Sequence, residues 1–313
     1  MEAAAHARVT ATLRGAGCVF AEEEARLLIA QARTGAQLAE LVAHRLEGQP
    51  LEHVLGWVEF CGMKITVAPR VFVPRRRTEA MVAEAGRLVA GRIGTERPVV
   101  VDVCCGCGAV GVAIAESFGP VELHLADIDD GAVACAAVNV ADWGQVHQGD
   151  LFQALPATLR GRVAVLVANV PYVPSEAIAL MPPEARLHEP RVALDGGADG
   201  LDVMRRVAAD VSEWLAPGGH VLVETSLSQV AAAVRLFVHQ GLDCRTVRDD
   251  DRDATVIVAT RLGGRRRPSG TTRWRCFGLP AFRFSGRADS GAYGSALNGL
   301  RNCVHAPRGK DSS

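Results

Sequence analysis

Val99-Val100-Val101-Asp102-Val103-Cys104-Cys105-Gly106-Cys107-Gly108-Ala109 is the stretch whose reading decides the fold. Its β-branched first half reads as a buried strand, the small residues after it as a tight loop, and Ala109 as the start of a helix. Small residues in such a loop let a ligand approach the backbone, and open amide hydrogens at a helix N-terminus attract a carboxylate or a phosphate. Outward from this unit, residues 98–260 alternate strand and helix. That alternation predicts an α/β domain with a mostly parallel sheet covered on both faces. The expected strands are 99–103, 121–126, 146–148, 163–168, 220–224, 243–248 and 255–259. The last two are separated by a short connection without a helix, which predicts a C-terminal antiparallel hairpin closing a seven-stranded sheet.

Upstream, the first fifty residues read as short helices. Residues 21–33 put Ala25, Leu28, Ile29 and Ala32 on one face, behind an acidic first turn of Glu22, Glu23 and Glu24 that suits the helix dipole. Residues 37–46 repeat the pattern. An extended pair over 57–67 with a turn at Cys61-Gly62 follows, and Val71-Phe72-Val73-Pro74 leads into a helix over 78–89. The domain plan is therefore a small helical domain at 1–50, a hairpin linker at 51–80, the α/β domain at 81–262, and an Arg/Gly/Ser-rich tail at 263–313. The tail lacks periodicity and reads as mostly disordered. Its scattered Trp274, Phe277, Phe282 and Phe284 leave room for a segment that binds a partner or a membrane surface.

A chain of 313 residues with 49% hydrophobic content can bury a full core. No apolar run approaches the roughly 18 to 20 residues of a membrane helix, and the N-terminus lacks a basic segment followed by an apolar one. The expectation is a soluble, monomeric, cytoplasmic protein. Nine Cys at irregular spacings agree with reduced thiols rather than a disulfide framework. The net charge of −1 hides an asymmetry: residues 263–313 hold ten basic and two acidic side chains, and residues 1–262 hold 24 basic against 33 acidic. An acidic body argues against a general binder of phosphate backbones.

The glycine loop taken alone is ambiguous between a nicotinamide dinucleotide and S-adenosylmethionine. The dinucleotide pattern G-x-G-x-x-G is not matched, because Gly106-x-Gly108 is followed by Val110-Gly111 at the wrong spacing, which shifts weight to the methyl donor. Cys104-x-x-Cys107 has the spacing of half a zinc site, but no second pair lies nearby and four ligands are needed, so no metal is expected. Asp127, at the tip of the second strand, is placed to accept the hydroxyls of a ribose, whereas Asp129 suits the cap of the helix that follows. Asp150 reads equally as an adenine neighbour or an exposed loop residue. After the strand at 163–168 comes Asn169-Val170-Pro171-Tyr172. Such a segment can aim the Asn169 side-chain oxygen and the Val170 carbonyl at the two N–H groups of a primary amide, turning its nitrogen toward a methyl group. Tyr172 can pack on the flat amide and on a sulfonium.

With Asn169–Tyr172 placed after this fold, the chain over about residues 20–262 resembles the HemK/PrmC family, the protein-(glutamine N5) methyltransferases that modify the Gly-Gly-Gln loop of peptide chain release factors. Pro50-Leu51-Glu52-His53-Val54-Leu55-Gly56 resembles the segment leaving the family's helical N-terminal domain. Val73-Pro74-Arg75-Arg76-Arg77-Thr78-Glu79 resembles its I-P-R-x-x-T-E linker over the cofactor. Glu189-Pro190-Arg191-Val192-Ala193-Leu194-Asp195-Gly196-Gly197-Ala198-Asp199-Gly200-Leu201 resembles its E-P-x-x-A-L-x-G-G-x-D-G-L block. The resemblance implies the class I S-adenosylmethionine-dependent methyltransferase fold, which is Rossmann-like. Joined to the reading above, it implies cofactor contacts from Thr78, Asp102, Cys104, Cys105, Gly106, Cys107, Gly108, Asp127, Asp150, Leu151 and Asn169. It also implies a substrate clamp of Asn169, Val170, Pro171 and Tyr172, with Asn169, Pro171 and Tyr172 catalytic, and a release factor as the protein partner.

Two positions depart from the family pattern. Val170 stands where the family has a second Pro, keeping the carbonyl but losing the ring that fixes φ. Cys104 stands where the loop begins with Gly, which is tolerable only if φ there is below zero. Both point to a divergent branch. A nucleic-acid exocyclic-amine methyltransferase uses a related tetrapeptide, but it must capture a base and grip phosphates, against which the acidic body stands. A noncatalytic binding protein on the same fold is the third reading.

Overall fold

The computed structural model describes residues 2–92 and 97–263, which fall into two compact units, 2–55 and 56–263. The tail from 264 onward, including Trp274, Phe277, Phe282 and Phe284, lies outside the described residues.

The first unit is four helices, α1 (Glu2–Gly15), α2 (Ala21–Gln31), α3 (Gly35–Leu46) and α4 (Leu51–Leu55). Leu13, Ala25 and Leu28 are buried in it. The Thr34 side chain caps α3 by accepting from the Gln37 amide at 3.1 Å. Beneath the apolar contacts, the Glu24 carboxylate accepts from Arg45 Nε at 2.7 Å, a buried ion pair that holds α2 to α3.

The second unit opens with the hairpin β1 (Trp57–Phe60) and β2 (Met63–Thr66), turning at Cys61-Gly62 as predicted. After α5 (Glu79–Ala90) come β3 (Val99–Val103), α6 (Ala109–Phe118), β4 (Glu122–Asp127), α7 (Asp130–Val140), β5 (Gly144–Gln148), β6 (Val163–Ala168), α8 (Pro183–His188), α9 (Asp202–Trp214), β7 (Leu215–Glu224), α10 (Val230–His239), β8 (Asp243–Asp249) and β9 (Ala254–Thr260). The seven-stranded sheet runs β5-β4-β3-β6-β7-β9-β8. The first five are parallel, and β9 runs antiparallel between β7 and β8, so the predicted hairpin does close the sheet.

Alternate residues of each strand feed opposite faces, the period-two rule of a pleated strand. Val100, Leu123, Leu125, Val165, Val167 and Leu222 pack with α5, α6 and α7, whereas Val99, Val101, Val103, Leu166, Val221 and Val223 pack with α9 and α10. Burial on both faces is what makes β3 and β6 near-continuous apolar runs. The strand β7 begins at Leu215, five residues before the predicted 220. Leu215 pairs with Val163 before a register shift, so Pro217-Gly218-Gly219, a turn-like string in the sequence, is carried as an irregularity within the strand.

The hairpin is tied to the glycine loop by one side chain. Asn139 Oδ1 accepts from the Thr66 amide at 3.0 Å, while its Nδ2 donates to the carbonyls of Thr66 and Cys107, each at 2.9 Å.

On β7, His220 Nδ1 lies 2.9 Å from Thr260 Oγ1. Burial, with the positive charges of Arg92 and Arg245 nearby, holds this imidazole down at about 4. The unfolded chain takes up a proton as pH falls through about 6.5, and the folded one does not until about 4. Stability is therefore intact above pH 6.5 and is lost as pH drops toward 4. For a half-buried group the loss is roughly 1–2 kcal/mol after solvent screening. Urea midpoints measured from pH 7 to 4.5 should fall for the native chain, and His220→Gln should remove that share of the slope.

Candidate functional site

A cleft opens at the carboxyl ends of β3, β4 and β6, with about 1070 Å³ of empty space including the part open to solvent. Parallel α/β sheets bind ligands at this edge. Its wall includes Thr78, Asp102, Cys104, Cys105, Gly106, Cys107, Asp127, Asp150, Leu151, Asn169 and Pro171. Most of the sequence-derived set is thus brought together. Gly108, Val170 and Tyr172 are not on the wall.

The two carboxylates at the strand ends are held by backbone. Asp102 Oδ2 accepts from the Gly111 amide at 2.9 Å, and burial pushes its carboxyl up to about 7. Asp127 Oδ2 accepts from the Gly106 amide at 2.8 Å and its Oδ1 from the Asp129 amide at 3.0 Å; burial raises this carboxyl too. The amides of Gly106 and Gly111 are therefore not left open for an anion, as the loop pattern suggested. A buried carboxylate needs donors, and these two take them from the loop itself. Asp129 caps α7, accepting from the Ala132 amide at 2.8 Å, as expected.

Gly106 and Gly108 serve different purposes. At Gly106, φ is +56° and a Cβ would meet nothing within 4 Å, so the loop is open on that side. At Gly108, φ is +80° and a Cβ would come 2.8 Å from the Leu125 side chain and 3.3 Å from the Ala136 Cβ. Gly108 therefore permits the close packing of Leu125 on β4 and Ala136 on α7 against the loop.

Cys104 takes φ +55°, in the left-handed region that its side chain was expected to forbid. Leu151, across the cleft, takes φ +49°. A Cβ in that region costs roughly 1–2 kcal/mol, and such outliers collect where a site constrains the chain. Cys104→Gly should accordingly be more stable than Cys104→Ala by about 1 kcal/mol, the reverse of the order found in helices. Denaturant titration of the two variants checks it. Burial, and then the charge of Asp127, pushes the Cys104 thiol up; burial does the same to Cys105 and Cys107. These thiols stay un-ionised and act as small apolar groups. Among the described residues no group of three His, Cys, Asp or Glu is arranged to hold a metal.

Asp150 pairs with Arg206 at 2.6 Å beside Leu151. The opposite wall is the strap leading to α5, with Val71, Phe72, Pro74 and Thr78 facing in. It is fastened where Arg75 Nη2 donates to both oxygens of buried Glu189, at 2.6 Å each, with the guanidinium 4.9 Å from the Phe72 ring centre.

The tetrapeptide leaves β6 with Asn169 at the cleft. Among the described residues the Asn169 side chain has no hydrogen-bond partner, so both its oxygen and its amide are free. The Val170 side chain is 1% exposed and belongs to the core cluster that holds Leu201 and Met204. Burial thus supplies part of the rigidity that a ring at 170 would give. The rest comes from residues 194–200. The Val173 amide donates to the Leu194 carbonyl at 3.1 Å, and the Gly196 amide to the Val173 carbonyl at 2.8 Å. Gln229 Nε2 donates to the carbonyls of Tyr172 and Asp199, each at 2.9 Å. Glycine is needed at 196, where a Cβ would lie 2.7 Å from the Pro171 carbonyl oxygen.

The Tyr172 hydroxyl donates to Glu224 Oε1 at 2.9 Å and accepts from Arg77 Nη2 at 2.7 Å. Burial and the adjacent Glu224 charge push its phenol up, so it stays neutral. Glu224, Gln229 and Arg206 are absent from the sequence-derived set. A usable signal for Glu224 was present: like Asp102, Asp127 and Asn169, it is a polar residue at the carboxyl end of an apolar strand.

A family description, methyltransferase small domain, matches residues 78–197. A release factor glutamine methyltransferase of Geobacter sulfurreducens is 36% identical over 227 residues, covering 71% of this chain and 77% of that one. Another of that description, from Gloeobacter violaceus, is 37% identical over 221 residues, covering 68% and 75%. A ribosomal protein uL3 glutamine methyltransferase of Bradyrhizobium diazoefficiens is 34% identical over 236 residues, covering 71% and 66%.

Proposed function

Because this chain belongs to the release factor glutamine methyltransferase family, we propose that it methylates the side-chain nitrogen N5 of the glutamine in a Gly-Gly-Gln loop of a peptide chain release factor. It is an S-adenosylmethionine-dependent methyltransferase that acts on a protein. The observation that carries the site reading is Asn169, an unpartnered amide side chain on the cleft wall next to a backbone splinted in place.

S-adenosylmethionine, when bound, supplies an electrophilic methyl group on a positively charged sulfur. The cleft suits it: the open side of Gly106 leaves room, and Asp102 and Asp127 offer carboxylates on the wall. Asp127, which retains lone pairs beyond its two backbone partners, would hold the ribose, Asp150 and Leu151 would stand at the adenine, and Thr78 would close the strap side. A primary amide is a poor nucleophile because its lone pair is delocalised. Asn169 Oδ1 and the Val170 carbonyl accept its two N–H groups and aim the nitrogen. Pro171, on the cleft wall, and Tyr172, next to it in the chain but off that wall, bound the flat amide. The nitrogen gains the methyl carbon as that carbon's bond to the donor's sulfur breaks and leaves a neutral thioether, and it loses one proton, which departs readily once the nitrogen is positively charged, so no strong base is required. The helical unit at 2–55 takes part in recognising the partner protein. Among the described residues no helix is long and apolar enough to cross a membrane.

The test offers purified protein and tritiated donor a release factor, a ribosomal protein of the uL3 type, RNA and DNA in turn. Label on the Gly-Gly-Gln glutamine is expected. Label on nucleic acid alone would overturn the assignment, and label on the uL3-type protein alone would keep the chemistry and change the partner.

A further inference from the structure

Glu224, at the end of β7, is 1% exposed, and a buried carboxylate persists where donors surround it. Three side chains provide them: Thr78 Oγ1 at 2.7 Å to Oε2, and Arg77 Nε and Tyr172 Oη, each at 2.9 Å, to Oε1. Two of the three belong to the strap and the third to the clamp, and Glu224 itself is off the cleft wall. We propose that Glu224 is a positioning residue: it fastens the Tyr172 ring to the strap, so that the clamp is set when the strap is seated. The inference rests on the clamp reading above.

The Tyr172 hydroxyl gives its hydrogen to Glu224 and takes one from Arg77. Tyr172 therefore meets a bound amide with its ring face. Gln229 holds the Tyr172 carbonyl and not its side chain, so the ring's orientation depends on the hydroxyl's two partners. The neighbouring guanidinium lies 5.8 Å from the ring centre and is itself held by Glu224. A glutamine at 224 keeps one oxygen, enough for Thr78, but places an amide nitrogen where both Arg77 and Tyr172 point. The cleft wall at Thr78 is kept while the tie to the ring is lost.

The full chain is assayed as wild type, Glu224→Gln, Tyr172→Phe and the double variant, with kcat for a release factor and calorimetric Kd for S-adenosylmethionine. E224Q is expected to lower kcat by about 10- to 100-fold and to leave the donor Kd within about twofold. Y172F keeps the ring, should lower kcat by about tenfold, and should add nothing to E224Q, because the two act through one contact. Multiplying losses in the double variant, a donor Kd that weakens in step with kcat, or an undiminished E224Q would each overturn the inference. Should E224Q not fold, wild-type kcat in Y172F overturns it as well. A wild-type chain that labels no glutamine overturns the functional reading and this inference together, whereas wild-type turnover with an unaffected E224Q overturns this inference alone.

Discussion

Asn169→Ala is expected to lower methyl transfer by about 10³-fold, the scale seen when one preorganised polar contact is removed from a reacting centre. The thermal midpoint should stay within about 2 °C of wild type. The two halves have separate causes. Asn169 stands at the cleft without a hydrogen-bond partner among the described residues, so truncating it breaks no bond of the fold. The same truncation deletes an acceptor for the substrate amide, leaving the Val170 carbonyl to orient the nitrogen alone. Single-turnover assays with donor in excess, beside a melting curve, separate the two. An active Asn169→Ala enzyme would remove the mechanism.

Gly200→Ala should be costly in both stability and activity. At Gly200, φ is +75° and a Cβ would stand 2.3 Å from both the Tyr172 carbonyl oxygen and Gln229 Nε2. Gly241 provides the comparison, since its φ is +76° and a Cβ there would meet nothing within 4 Å. Gly241→Ala therefore bears the backbone cost alone, about 1 kcal/mol. Gly200→Ala adds a clash with main chain that must move the clamp or the Gln229 tie, for a total of roughly 3 kcal/mol. Urea titrations give the two losses. Turnover well below the melting range should be near wild type for Gly241→Ala and depressed for Gly200→Ala, because the displaced carbonyl belongs to Tyr172.

The parts of the site legible in the sequence were those written in local pattern. The strand, small-residue loop and helix at 99–109, Asp127 at a strand tip and Asn169 after a six-residue apolar run all follow from periodicity and from the rule that ligands gather at strand carboxyl ends. Glu224 lies 146 residues from Thr78 and 52 from Tyr172, and no window of sequence displays such a tie. Cys104 shows another limit. The pattern asks for a small residue and is satisfied by Cys, but the sign of φ is a property of the closed loop. Val170 failed in the opposite direction: it looked like a change to the clamp, yet its side chain faces the core, where its shape and volume are what matter. The early start of β7 was hidden because Pro and Gly residues signal a turn locally, while the pairing of Leu215 with Val163 of β6 decides the outcome.

Asn139 has a consequence for how copies of this protein behave when crowded. Thr66 turns both its N–H and its C=O away from β1, at the outer edge of a two-stranded ribbon. An edge with unsatisfied groups is where a neighbouring chain adds itself as another strand. The carboxamide of Asn139 already occupies both groups, imitating the backbone of a strand that never arrives. One amide on α7 thus withholds part of the hairpin edge from other copies and works against self-association.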